Sequence, residues 1–70
     1  MSARDVPIRG EMIRLGELLK LAGVVESGGD AKVLLMTTEV LVNGELENRR
    51  GRQLRAGDEV RVGETLLRVA

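Results

Sequence analysis

Leu15-Gly16-Glu17-Leu18-Leu19-Lys20-Leu21-Ala22-Gly23 is the stretch on which the fold turns. Leu15, Leu18, Leu19 and Ala22 recur at i, i+3, i+4 and i+7, the spacing that lines one face of an α-helix with apolar side chains. Gly23 follows the last of them and suits a helix C-terminal cap. Glu17 and Lys20 fall on the outer arc. Downstream, a second helix is expected after Ser27-Gly28-Gly29. Ser27 can accept from backbone amides as its N-cap, and Asp30 sits in the first turn, where the helix dipole favours an anion. Ala31, Leu34 and Leu35 form the buried arc, with Lys32 and Met36 nearer its edges. Thr37 and Thr38, both weak helix formers, mark the end.

The remainder reads as β-structure. Val40-Leu41-Val42 followed by Asn43-Gly44 is a strong short-range hairpin signal. A two-residue turn there sets Val42 opposite Glu45 and Leu41 opposite Leu46, a register with mixed partners on the valine face that the sequence alone leaves open. Gly57-Asp58 makes another turn, and Val60 and Val62 alternate into a strand. Gly63-Glu64 suits a type II′ hairpin, after which Thr65, Leu67 and Val69 share the face of Val60 and Val62. At the other end, Val6 to Arg9 is expected to form a short strand that Pro7 restricts to a sheet edge. The order is two helices and then short strands, so the expected class is α+β: two packed helices followed by a small, mostly antiparallel sheet.

Seventy residues make one domain, spanning 1–70. Phe, Tyr and Trp are absent, so Leu, Val, Ile, Met and Ala supply the whole core. Cysteine and histidine are absent too. That removes disulfides, the usual zinc ligands, nucleophile–base pairs and the commonest general base near neutral pH. Neither a metal nor a cofactor is expected. The longest uninterrupted apolar stretch, Val33 to Met36, is far too short to cross a bilayer. Arg4, Asp5, Arg9 and Glu11 interrupt the N-terminus where a signal peptide needs an apolar core. The expected location is therefore the cytoplasm.

Eleven basic residues balance eleven acidic ones. The distribution is uneven. Asn48 to Gly57 holds Arg49, Arg50, Arg52 and Arg55 and no acid. A phosphate responds to such local charge within a Debye length of about 8 Å. Arginine's planar fork grips phosphate in bidentate fashion, and Gly51 lets the backbone come close. The plainer reading is a solvated loop whose arginines pair with Glu45 and Glu47. Charge alone does not choose between the two.

Four segments together resemble the alpha-L RNA-binding domain, the module named for its occurrence in ribosomal small-subunit protein four. They are Leu15–Gly23, Glu26–Lys32 (ESGGDAK), Glu39–Glu45 (EVLVNGE) and Arg49–Val60 (RRGRQLRAGDEV), a core motif over 15–62. The glycine pair and the Arg-Arg-Gly-Arg loop are similar to a free-standing, single-domain bacterial branch of that family. The resemblance implies a non-catalytic protein that binds structured RNA, ribosomal or transfer, through the two helices and the loop before the later strands. It also places the outer arcs of the helices near each other, so that Lys20 and Lys32 extend the arginine patch, with Arg14 ahead of the first helix a weaker member. Two positions depart from the family. Gly28 stands where many relatives carry arginine, and Thr38 where many carry glycine.

The candidate RNA-contacting residues are thus Arg14, Lys20, Ser27, Gly28, Gly29, Lys32, Asn43, Arg49, Arg50, Arg52 and Arg55. Each has a plainer role. Lys20 can be a partner of Glu17, Ser27-Gly28-Gly29 only a cap and turn, and Asn43 turn chemistry. Without aromatic side chains for base stacking, recognition is expected to run through phosphates, sugars and RNA shape.

Three rivals are weighed. An enzyme lacks any histidine, cysteine or metal-ligand cluster beside Glu11, Glu17 or Asp58, and a domain this small has little room for a substrate pocket. A sulfur carrier shares the Val-Asn-Gly-Glu turn but needs a C-terminal Gly-Gly, whereas this chain ends Leu67-Arg68-Val69-Ala70. A protein–protein adaptor using exposed strand edges stays open. The expected partner is RNA, bound by a monomer, with neither a membrane nor a small-molecule substrate.

Overall fold

A computed structural model describes residues 3–70; Met1 and Ser2, which the expected 1–70 domain includes, lie outside the described residues. The order is β1 (Arg4–Val6), β2 (Ile13–Arg14), α1 (Leu15–Leu21), α2 (Gly28–Thr37), β3 (Val40–Val42), β4 (Glu45–Leu46), β5 (Gln53–Leu54), β6 (Glu59–Val62) and β7 (Thr65–Val69). Five strands form one sheet in the order β1-β7-β6-β3-β4, and β2 pairs with β5 in a separate ribbon. Only the β1–β7 pair of the larger sheet is parallel. The class is α+β, as the pattern of periods indicates.

Leu15, Leu18, Leu19 and Ala22 are all buried, and they meet Ala31 and Leu35 of α2 in one core with Val40, Val42, Val60, Leu67 and Val69. Gly23, at φ +77°, ends α1. Its amide donates to the Lys20 carbonyl at 3.0 Å, and the Val24 amide donates to the Leu19 carbonyl at 2.9 Å. This is the paired bonding of a Schellman cap, and a side chain at that φ strains the turn.

Helix α2 begins at Gly28, two residues before the expected start. The reason lies in Ser27. Its Oγ accepts from the Asp30 amide at 3.1 Å, which makes Gly28 and Gly29 the first two helical residues. At the far end Thr38 is extended (φ −127°, ψ 139°), so the helix-to-strand corner forms without a left-handed residue.

The hairpin register is the one drawn from a two-residue turn, Leu41 opposite Leu46 and Val42 opposite Glu45. Asn43 (φ 51°) and Gly44 (φ 84°) both take the left-handed conformation that a type I′ turn requires. Val60 faces Leu67 and Val62 faces Thr65, again as the alternation implies.

The N-terminal strand is displaced from its expected Val6–Arg9 to Arg4–Val6. Pro7 explains the shift without losing the edge. The Val6 carbonyl accepts from the Ala70 amide at 3.0 Å and the Ile8 amide donates to the Ala70 carbonyl at 3.2 Å, leaving Pro7 between them where no donor is needed.

Candidate nucleic-acid interface

The arginine loop joins β4 to β5, and its backbone is fastened to the start of α1. Leu15 donates its amide to the Arg52 carbonyl at 2.8 Å, and Gly16 donates to the Arg50 carbonyl at 2.9 Å. The Arg14 amide donates to Glu17 Oε1 at 3.1 Å. Three of the amides that open α1 are therefore satisfied within the protein, so this helix start is not an open anion site. What it does instead is hold the loop. The β2–β5 ribbon continues the same pairing, with Ile13 opposite Leu54 and Arg14 opposite Gln53.

Arg50 sits at the centre. Its Cβ lies 3.5 Å from where a side chain on Gly16 would begin, an ordinary contact distance, so the stem of the arginine runs alongside the start of α1. Its Nη1 donates to the Gly28 carbonyl at 3.3 Å, at the first residue of α2. One side chain therefore touches the starts of both helices. Lys20 and Lys32 lie four residues beyond Gly16 and Gly28, one helical turn along the same faces. Arg14, Gly16, Glu17, Gly28, Arg50 and Gly51 line a groove of about 300 Å³ between these elements.

Arg49 and Arg52 behave differently. Their hub is Glu47, the buried acid of the described residues, 6% exposed. The Glu47 amide bonds to the Val40 carbonyl at 2.8 Å, which continues the hairpin ladder and turns this acid to the same side as Val40. Its carboxylate accepts five hydrogen bonds. Oε2 takes the amides of Asn48 and Arg49 at 3.1 Å each and Arg49 Nε at 3.0 Å. Oε1 takes Arg49 Nη2 at 3.0 Å and Arg52 Nη1 at 2.9 Å. Hydrogen bonding from the Arg49 side chain, opposed by burial and reinforced by Arg52, lowers the carboxyl from 4.5 to about 2. The same contact raises the Arg49 guanidinium above its ordinary range.

The loop is therefore partly neutralised: of the two partners that the plainer reading named, Glu47 pairs with its arginines and, among the described residues, Glu45 does not. The Glu47 carboxylate pairs with two of the loop's four arginines, so a net positive charge remains. Among the described residues no carboxylate pairs with Arg14, Lys20, Lys32, Arg50 or Arg55.

Three other candidates are held in structural roles. The Asn43 side chain donates Nδ2 to Asp58 at 3.1 Å and accepts the Glu59 amide at 2.9 Å, so both ends of its amide are occupied. Ser27 is the cap of α2, with its Oγ engaged, and Gly29 is the second residue of that helix. Arg55 is exposed beyond the ribbon, with its backbone amide on Asp58 Oδ2 at 2.8 Å. Arg9 was not among the candidates. It lines a second groove with Lys20, adjoining the first at Glu17.

The molecule is thus a core of two helices on a short-stranded sheet, with a basic loop pinned across both helix starts. Residues 6–70 match the S4 domain. The chain belongs to the S4 domain family. This is the alpha-L RNA-binding fold that the four sequence segments resemble. The S4 domain here is 55% identical over 60 residues to the probable ribosome maturation protein RlbA of Bacillus subtilis (strain 168), an alignment covering 86% of this chain and 84% of that protein. The two departures from the family pattern now have local accounts. Gly28 contributes its carbonyl to Arg50, an arginine reached from the loop instead of from the helix. Thr38 makes its corner in an extended conformation. The ribbon and the burial of Glu47 escaped the sequence reading, which names that acid only as a surface partner of the arginines. A two-residue strand has no period to detect, and an inward-facing acid became visible only with the hairpin register.

Proposed function

We propose that this S4 domain protein binds structured RNA, ribosomal or transfer, as a monomer without catalysis of its own. The name of its Bacillus subtilis relative supports ribosome maturation as the setting, and hence the cytoplasm. The observation that carries the reading is Arg50, packed on Gly16 and bonded to the Gly28 carbonyl, with Arg14 beside it and a lysine one turn along each helix. Phosphates meet a cluster of cations on rigid elements, while Glu47 holds Arg49 and Arg52 in fixed orientation at its edge. Gly28 and Gly29 at the start of α2 add backbone amides to the same rim.

The test uses purified protein and total cellular RNA, with the wild type compared against a variant in which Arg49, Arg50, Arg52 and Arg55 are all alanine. The expected result is binding by the wild type and its loss in the variant. Equal binding by both proteins moves the contact surface away from the loop. Absence of RNA binding by the wild type overturns the reading and favours a protein–protein adaptor.

A further inference from the structure

The groove next to the arginine trough is of a different chemical kind. It encloses about 680 Å³ and is lined by Pro7, Arg9, Met12, Ile13, Glu17, Lys20 and Leu21. Four of these side chains are apolar, and Leu21, on the last turn of α1, is 55% exposed. Leu21 is not spent on the core, which α1 builds with Leu15, Leu18 and Leu19. An exposed leucine facing a concavity rewards a ligand with an apolar face.

Phosphate is not such a ligand, because an apolar wall gives nothing back for its lost hydration. Arg9 and Lys20, however, are cations on that same wall. Glu17 stands on the wall shared with the arginine trough and repels a phosphate from the join. The combination fits a flat, weakly polar ring flanked by anionic groups. We propose that this groove receives a nucleobase extruded from the bound RNA, with Arg9 and Lys20 holding the phosphates on either side of the unpaired nucleotide. The proposal rests on the RNA-binding reading and deepens it. It adds that the RNA carries a bulged or otherwise unpaired nucleotide within reach of the arginine loop. Aliphatic side chains take the place of the aromatic platforms that unstacked bases usually meet, since this chain has none.

The probes are two fluorescent RNA hairpins of equal length, one fully paired and one carrying a single bulged 2-aminopurine nucleotide. The wild type should bind the bulged hairpin more tightly by roughly three- to tenfold, around the low end of what a base stacked on an aromatic ring gains, and should change the 2-aminopurine emission. Leu21→Ser removes the wall without altering charge. It should abolish both the preference and the emission change while leaving affinity for the paired hairpin intact. Leu21→Ala, a milder truncation, should reduce both, and thermal melting verifies that each variant is folded. Arg50→Ala should weaken both hairpins alike. Equal affinity of the wild type for the two hairpins overturns the groove proposal and spares the RNA-binding reading; no binding to either removes both. A bulge preference that survives Leu21→Ser also overturns it, and leaves the groove to a protein partner.

Discussion

Glu47 Oε1 and Arg52 Nη1 meet at 2.9 Å, and the same carboxylate holds Arg49, so one inward-facing acid sets the orientation of half the arginines of the loop. The carboxyl is held at about 2 in the folded protein against an ordinary 4.5. A group whose pKa is depressed by folding contributes stability in full above the unfolded value and loses it as the pH falls through the folded one. The stability of this protein should therefore decline on acidification from about pH 4.5 toward about pH 2. The guanidinium of Arg49 is largely in solvent, so the contribution is discounted to about 1–2 kcal/mol. Glu47→Gln should cost about that much at neutral pH and flatten the acid dependence. Urea denaturation at neutral and acidic pH checks it; parallel acid limbs in the two proteins would refute the role.

The arginines should differ in how much they contribute to RNA affinity and its salt dependence. If about four to six cations touch phosphates, log affinity should fall against log salt with a slope of roughly −3 to −5. Arg50→Ala removes a cation with no carboxylate partner and should make that slope shallower by about one. Arg49→Ala removes one already paired with Glu47 and should change it less. Fluorescence anisotropy across a salt series separates them. A larger change for Arg49 would place the contact surface on the far side of Glu47.

How far the sequence could be read depends on how long each signal runs. Leu15 to Ala22 carries two turns of helical period, so α1, its buried face and its cap were legible. Asn43-Gly44 and Gly63-Glu64 marked two hairpins through turn chemistry, but the first register stayed open because Val42 faces Glu45, a mixed pair that a buried-face argument cannot choose. Ser27 was legible as the cap of α2, but the helix is expected to start after the two glycines, which look like a turn, whereas a cap at Ser27 makes them its first two residues. Gln53-Leu54 offers two residues, one of them apolar, and no local pattern marks Leu54 as fully buried. The candidate site shows the same limit. Charge density pointed to the loop, but only the ladder at Val40 and Glu47 divides its arginines into a pair held by a carboxylate and a pair without one.

Thr38 tests whether the corner between α2 and β3 has its own solution. At φ −127° and ψ 139° the residue is in ordinary extended backbone, where a β-branched side chain is at ease and glycine has more freedom to lose on folding. Thr38→Gly, although it restores the residue many relatives carry, should destabilise by roughly 0.5–1 kcal/mol. Thermal melting is sufficient to measure it. A gain in stability would show that the corner prefers a left-handed residue after all.

Leu54 links the core to the loop. It is fully buried on β5, two residues after Arg52, whose carbonyl accepts the amide that opens α1. The ribbon is two residues long on each side and cannot persist without packing of its own. Leu54→Ala should cost about 2–5 kcal/mol, the range for a buried leucine that leaves a cavity. Because every charge is kept, RNA affinity measured below the lowered melting temperature should still fall. The loop would no longer be registered against α1, so Arg50 would spend less time between Gly16 and Gly28. Amide hydrogen exchange at Leu15 and Gly16 reports that registration directly, and both should exchange faster in the variant. Unchanged exchange there, alongside weaker RNA binding, would mean that the loop is held by Glu47 and not by the ribbon.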